Sequence, residues 1–269
     1  MTLAERLRAL YPEASGRRLK QWLTGGRVTV DGRPCRDGRL VLPPDAVVAL
    51  GARAAAAVPF PRALGRVHED DAILVVVKPA GLLTIATERE RERTAYRLLW
   101  DYLAARGGRP FIVHRLDRET SGLLVFAKSE AHKRALQAQF EARSVERVYR
   151  ALVAGRPARP EGTLESRLAE DRSLRVRRAA DGRLAITRYR VVAAGRDTSL
   201  LELTLGTGRR HQIRVQLADA GWPIVGDVTH GGPRCPAGRM CLHATRLAFA
   251  HPGTGARVAF ESAAPGDWV

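Results

Sequence analysis

The sequence predicts an α+β fold in two parts, and three observations carry that prediction. Apolar runs of strand length mix with stretches of helical spacing, but they do not alternate as regular βαβ units would. A strongly basic segment of about fifty residues precedes the longest apolar runs. Between them lies GARAAAAVPFP, residues 51–61, whose Ala- and Pro-rich composition without polar periodicity reads as a linker. Residues 1–50 therefore form a front module and residues 62–269 a larger domain.

The front module reads as a small α/β unit. Helical spacing covers Leu3 to Leu10 and Arg17 to Leu23, with Ser15 placed to cap the second helix before Gly25-Gly26. Arg27 to Val30 alternates polar and apolar residues, Asp31-Gly32 is a hairpin-turn pair, and Val47 to Leu50 closes the unit. In the larger domain, AILVVVK (72–78) is a continuous apolar run stopped by Pro79, as a strand buried on both faces would be. Helices are expected over Thr94 to Arg106 and Glu130 to Arg143. Strands are expected at 121–127, 148–154, 187–192, 199–205 and within 241–252.

The 269 residues carry 45 basic and 28 acidic side chains, a net charge of +17, and only Lys20, Lys78, Lys128 and Lys133 among the bases are lysines. An arginine-dominated excess suits a polyanion, because the planar guanidinium binds two phosphate oxygens at once and stacks on bases. No apolar run approaches the roughly 20 residues that span a bilayer, and the amino-terminal segment lacks the apolar core of a signal peptide. The expectation is a cytoplasmic protein with no membrane partner. Cys35, Cys235 and Cys241 are odd in number and contain no CxxC pair, so no disulfide framework is expected. His230, Cys235, Cys241 and His243 bunch together, but their spacing fits no common zinc pattern and no metal site is assigned.

The stretch richest in chemistry is HRLDRETSGLLVFAKS, 114–129. It delivers one carboxylate, Asp117, from a basic loop into an apolar strand. His114, Arg115 and Arg118 surround it with cationic or potentially cationic groups, a setting that favours an ionised acid. A surface salt-bridge cluster would produce the same tetrapeptide. The second such stretch is LTLGTGRRHQIRVQLADAGWPIVGD, 203–227: a strand, a Gly-Thr-Gly turn, and a helix opened by basic residues and stopped at Gly221. Its first N–H groups suit phosphate. Arg209, His211 and Arg214 can share one face of it, and a guanidinium there could fix a nearby carboxylate, although an exposed basic helix face has the same pattern.

Residues 114–129 match, position by position, the HRLD-x-x-TSG-apolar-Ala-Lys segment of the RluA-type pseudouridine synthases, which this chain resembles. EDDAILVVVKPAGLLT (69–84), RVYRALV around Tyr149, TGRRHQIR (207–214) and CLHATRLAFAHP (241–252) resemble further blocks of that family. The resemblance implies a mixed, largely antiparallel sheet with flanking helices and a reaction without a cofactor. Asp117 takes the family's catalytic role, Tyr149 packs against the target base, Arg214 is the basic partner of the aspartate, and Arg115 contacts backbone or fills the space left by an extruded base. Lys-Pro-Ala-Gly has a structural role there, and His243 reads as a hydrogen-bonded core residue. One departure is Gln216, where the family usually has histidine, which leaves open any substrate contact at that position.

SGRRLKQWLTGGRVTVDGR resembles the alpha-L RNA-binding domain, with Asp31 where that family usually has asparagine. Arg17, Arg18, Lys20 and Arg27 then become candidate RNA contacts, together with Arg209. The chain is therefore expected to isomerise uridines in structured RNA, ribosomal or transfer RNA, as a monomer without a small-molecule cofactor. Attack at ribose carbon 1′, addition to the uracil ring and proton removal from ribose carbon 2′ all remain open for Asp117. The alternatives are a non-catalytic RNA-binding or ribosome-assembly protein and a base-removing glycosylase.

Overall fold

The computed structural model describes every residue except Gly25, residues 52–57, Arg89, residues 172–174 and Val269. Most of the expected linker and the first glycine of Gly25-Gly26 therefore lie outside the described residues. The chain divides into two compact units, Met1–Pro59 and Phe60–Val269.

In the first unit, α1 (Leu3–Leu10) begins with a reciprocal cap: Thr2 Oγ1 accepts from the Glu5 N–H, and Glu5 Oε2 accepts from the Thr2 N–H. α2 (Gly16–Thr24) follows Ser15, whose Oγ accepts from the Arg18 N–H at 3.3 Å. β1 (Val28–Val30), β2 (Arg33–Pro34) and β3 (Val48–Leu50) form an antiparallel sheet in the order β2-β1-β3. Asp31 and Gly32 both adopt positive φ, 49° and 76°, as a two-residue hairpin turn requires. Asp31 Oδ1 also accepts from the Val47 N–H at 2.8 Å, tying the turn to β3. Leu3, Leu7, Leu19, Trp22, Leu23 and Val28 form the core.

The second unit is built on an 11-stranded sheet. Its elements in chain order are β4 (Gly65–Glu69), β5 (Ile73–Lys78), α3 (Ala95–Ala104), β6 (Phe111–Ile112), β7 (Ser121–Ala127), α4 (Glu130–Glu141), β8 (Glu146–Ala154), β9 (Glu161–Glu170), β10 (Val176–Arg178), β11 (Arg183–Ala194), β12 (Thr198–Leu205), α5 (Gln212–Asp219), β13 (Leu242–Ala250) and β14 (Arg257–Glu261). The spatial order is β10-β9-β11-β12-β8-β13-β7-β5-β4, with β14 beside β13 and β6 beside β7. Pairing is antiparallel except between β13 and β7, which run parallel at His243–Ser121 and Ala244–Gly122.

The continuous apolar runs of β5 and β7 have a simple cause: both faces are covered. Leu74, Val76, Leu124 and Phe126 pack with Leu99 and Leu103 of α3. Ile73, Val75, Leu123 and Val125 point the other way and pack with Leu136 of α4. The expected helices and strands are all present. β4, β6, β9, β10 and β14 come in addition. β9, EGTLESRLAE, has apolar residues only at Leu164, Leu168 and Ala169, a spacing that does not announce a strand.

Gly122 sets the closeness of the parallel junction. It adopts φ +117°, and a Cβ there would lie 2.4 Å from both the Ala244 N and O atoms.

Among the described residues, no helix is long and apolar enough to cross a membrane. Nor does any group of three or more His, Cys, Asp or Glu among them fit a metal ion.

Candidate active site

The loop from His114 to Thr120 is held from below by the Lys-Pro-Ala-Gly segment. Lys78 is fully buried at the end of β5, and its Nζ donates to the carbonyls of Pro79, Leu82 and Arg118 at 2.9, 2.7 and 3.1 Å. Burial pulls its ammonium down to about 7, while the Glu119 and Asp117 carboxylates support the charge. Thr84 adds a second clamp: its Oγ1 donates to the Leu116 carbonyl at 2.8 Å and accepts from the Leu116 N–H at 3.2 Å. The structural role expected of this segment is thus the immobilisation of the backbone on either side of Asp117.

Two of the cationic neighbours expected around Asp117 are not that. His114 is neutral: burial pushes it down to about 3, its Nε2 accepts from the Val125 N–H at 3.2 Å, and its ring stacks on Phe140. Arg118 turns outward, donating to the Gly81 carbonyl at 3.1 Å and lying 3.6 Å from Glu119. The cation that does face Asp117 comes from α5. Arg214 Nη1 stands 3.7 Å from Asp117 Oδ2, beyond hydrogen-bonding distance.

Arg214 is committed elsewhere. Its Nε and Nη2 donate to Asp227 Oδ2 and Oδ1, each at 2.7 Å, with both side chains buried. Burial works against the guanidinium charge, and Asp227 more than offsets it. His211 Nε2 lies 3.9 Å from Asp117 Oδ2 and 3.2 Å from Arg214 Nη1, and His211 Nδ1 lies 3.2 Å from His230 Nε2.

The turn before α5 is locked by Gln212. Its Oε1 accepts from Thr207 Oγ1 and the Arg209 N–H, and its Nε2 donates to Thr187 Oγ1 and the Ile186 carbonyl. Arg209 Nε donates to the Leu184 carbonyl at 3.1 Å. Residues 212–217 are all buried, so α5 is not an exposed basic face. Gln216 points into the protein, donating to Leu164 O, Ser166 Oγ and Ala185 O and accepting from Thr187 Oγ1. Its amide is consumed in holding α5 to β9 and β11.

These elements enclose a cleft of about 450 Å³, within the range of ligand pockets. Asp117, Arg115, Tyr149, Arg209 and Arg214 all line it. Arg115 is exposed and Tyr149 is buried. Burial, with Asp117 nearby, pushes the Tyr149 phenol up to about 12, so the ring stays neutral. Arg17, Arg18, Lys20 and Arg27 belong to the first unit. The first three are exposed, while Arg27 is half-buried with its guanidinium 5.9 Å from the Trp22 ring.

A family model described as RNA pseudouridylate synthase matches residues 72–219, which contain the loop, the whole of α5 and the cleft residues Arg115, Asp117, Tyr149, Arg209 and Arg214. The chain belongs to that family. It is 35% identical to the ribosomal large subunit pseudouridine synthase D of Neisseria meningitidis serogroup B, over 97% of this chain and 75% of that protein. It is 37% identical to the protein of the same name from Pseudomonas aeruginosa, over 97% of this chain and 87% of that one. In fold it is similar to human RNA pseudouridylate synthase domain containing 4, with TM-score 0.64 and 23% identity over 76% of this chain and 90% of that chain.

Membership fixes the reaction class as isomerisation of uridine in RNA and sets aside the non-catalytic and glycosylase alternatives. It also gives the pseudouridine synthase sheet a reason for its shape, since the loop before β7, the β8 tyrosine and α5 meet at one cleft. Sequence reasoning left out three groups of this pseudouridine synthase site: Asp227, His230 and Arg147. Asp227 is the last residue of the 203–227 stretch and His230 ends the short 3-10 turn after it, and nothing in the sequence ties either side chain to α5. Arg147 shares the RVYRALV block with Tyr149 and also lines the cleft.

Three of the four His and Cys residues that bunch in sequence have other partners. His243 bonds Ser121 Oγ at 2.8 Å and Ser262 Oγ at 3.0 Å, whereas Cys235 and Cys241 face each other in the core, 3.3 Å apart.

Proposed function

We propose that the chain converts uridine to pseudouridine in ribosomal RNA, with Asp117 as the catalytic residue. The observation that carries this reading is the placement of Asp117: its carboxylate lies in the cleft, its backbone is clamped by Lys78 and Thr84, and its Oδ2 is 3.7 Å from the Arg214 cation without being bonded to it. A carboxylate held still and left with free lone pairs can act on a bound nucleotide. The reaction breaks the bond from uracil N1 to ribose C1′ and forms one from C5 to C1′. The C5 proton leaves and N1 gains one, so atoms and electrons balance with no cofactor.

The target must leave its stack to reach the cleft, at a cost of a few kcal/mol that is smallest in loops and bulges. Tyr149 offers its neutral ring to the extruded base, a contact worth about 1–3 kcal/mol. Arg115, exposed at the cleft, contacts the backbone or occupies the vacated space. Arg214 orients Asp117. Arg209 takes phosphate beside the turn, and Arg17, Arg18, Lys20 and Arg27 do so on the front module, which we read as an alpha-L RNA-binding domain spanning residues 1–50. The ribosomal target is supported by the names of the relatives. We read the protein as a cytoplasmic monomer.

The test is Asp117→Asn, assayed for release of tritium from uracil C5 and, in parallel, for RNA binding. Turnover should vanish while affinity stays within about threefold, because the phosphate contacts lie elsewhere. Substantial turnover by the variant refutes the assignment. Mapping pseudouridines in ribosomal and transfer RNA from cells lacking the protein identifies the target.

A further inference from the structure

His211 is the residue of this cleft whose backbone asks for an explanation. It adopts φ 50° and ψ 18° at the start of α5, a left-handed conformation uncommon outside glycine, and its side chain makes no capping bond there. The conformation instead brings its ring into the cleft, with Nε2 toward Arg214 and Asp117 and Nδ1 toward His230. Residues held in such conformations cluster where function requires them.

The hydrogen atoms on this chain can be assigned by elimination. Arginine has only donors, so at 3.2 Å from Arg214 Nη1 the His211 Nε2 must be the acceptor and carries no proton. A neutral imidazole then carries its proton on Nδ1, which donates to His230 Nε2 at 3.2 Å. The rings stand nearly perpendicular, at 88°, which points one edge at the other. An imidazolium at His211 would set two donors against each other at the Arg214 contact. The surrounding charges are Asp117 from the loop before β7, Arg214 and Arg210 beside it, and Asp227 and Asp219 around His230. Burial, the largest influence, pushes His211 down to about 4 and His230 down as well.

We propose that His211, held as the Nδ1–H tautomer by His230, is a positioning residue that accepts the Nη1–H of Arg214 and so fixes the edge of the guanidinium facing Asp117. Asp227 holds the Nε and Nη2 edge of the same guanidinium, so the rigid plane keeps only a tilt about that edge, which would carry Nη1 toward or away from Asp117. His211 removes that freedom on the side where the chemistry occurs. The inference rests on the catalytic reading of Asp117 for its kinetic consequence, but the tautomer itself does not.

The first measurement is long-range proton–nitrogen NMR of the full-length protein with labelled histidine. His211 should show an unprotonated Nε2 and a protonated Nδ1 from pH 8 down to 5. A protonated Nε2 overturns the proposal. The second measurement compares two variants in single-turnover tritium release at saturating RNA. Asn tolerates the left-handed backbone, but its amide is too short to reach Arg214, so His211→Asn should lower the rate by about 10- to 100-fold, as misplacement at a site does. RNA affinity should change by less than about threefold. His211→Gln offers a longer arm with a carbonyl acceptor and should recover most of the lost rate. A wild-type rate in His211→Asn overturns the proposal. So does a His211→Gln variant as slow as His211→Asn, which would show that the imidazole itself handles protons. Should either variant melt early, the His230→Phe variant, which removes the acceptor for Nδ1–H, must show the same loss of rate with unchanged affinity. Activity in Asp117→Asn would sink the catalytic reading and leave the tautomer result standing.

Discussion

Arg214 and Asp227 form a buried ion pair with two parallel contacts of 2.7 Å, thirteen residues apart in sequence and joined across the turn that ends at Gly226. Gly226 adopts φ +87°, and a Cβ there would lie 2.1 Å from the Arg239 carbonyl oxygen, so the turn that presents Asp227 requires glycine. Removing either partner strands a charge. Asp227→Ala and Arg214→Ala should each cost about 3–5 kcal/mol in urea unfolding, and the double variant should cost well under the sum. Additive losses would show that the two side chains do not act as a pair.

Lys78→Met keeps much of the side-chain volume but leaves three carbonyls without their donor. With about 1–3 kcal/mol for each buried group left unsatisfied, a loss of at least about 2 kcal/mol is anticipated. Amide exchange should quicken specifically at Gly81 and Thr120, whose N–H groups bond within the clamped segment. Unchanged stability with unchanged exchange would contradict the clamp.

Gly122→Ala places a methyl group against the backbone of Ala244 and strains φ +117°. Together these should destabilise the second unit by at least about 3 kcal/mol. Thermal melting of the variant decides the point, since a melting temperature within a few degrees of wild type would mean that β7 and β13 can separate at little cost.

Acid should destabilise the fold before its carboxylates titrate. Burial depresses His114 to about 3 and His211 and His243 to about 4, from 6.5. As the pH falls below 6.5 these histidines charge in the unfolded chain and stay neutral in the folded one, so protons favour unfolding. Each contributes a loss of about 1.4 kcal/mol per pH unit until its folded value is reached. Urea midpoints at pH 8, 6 and 5 should fall at each step, most steeply between the last two. A rise at pH 5 would refute the neutral assignments.

The elements legible in sequence were those with a one-dimensional signature. β5 and β7 are apolar along their length because both faces are covered, and α3 and α4 carry their burial at helical spacing. Asp117, Tyr149 and Arg214 were legible through motifs, and the cleft does bring them together. Asp227 and His230 were not, because their importance comes from contacts made across 13 and 19 residues. The neutrality of His114 was not legible for a related reason: Arg115 follows it in sequence, while its neighbours in space are the Phe140 ring and the Val125 N–H. β9 and β10 were not legible because polar residues dominate them; Gln216 of α5 bonds β9, and a small apolar cluster of Leu168, Val176, Ala185 and Val215 ties both strands to α5.

The position of β13 has a consequence for how the chain acquires its shape. It lies between β7 and β8, yet it is made about a hundred residues after them. During synthesis the β4–β7 portion and the β8–β12 portion can each form hairpins, but no strand joins them until residues 242–250 emerge. Until then both leave an unpaired inner edge, a state open to misassociation. Asp117 belongs to the first portion, Tyr149 to the second and Arg214 to α5, which follows it. Insertion of β13 is therefore the step that brings these three side chains to one cleft.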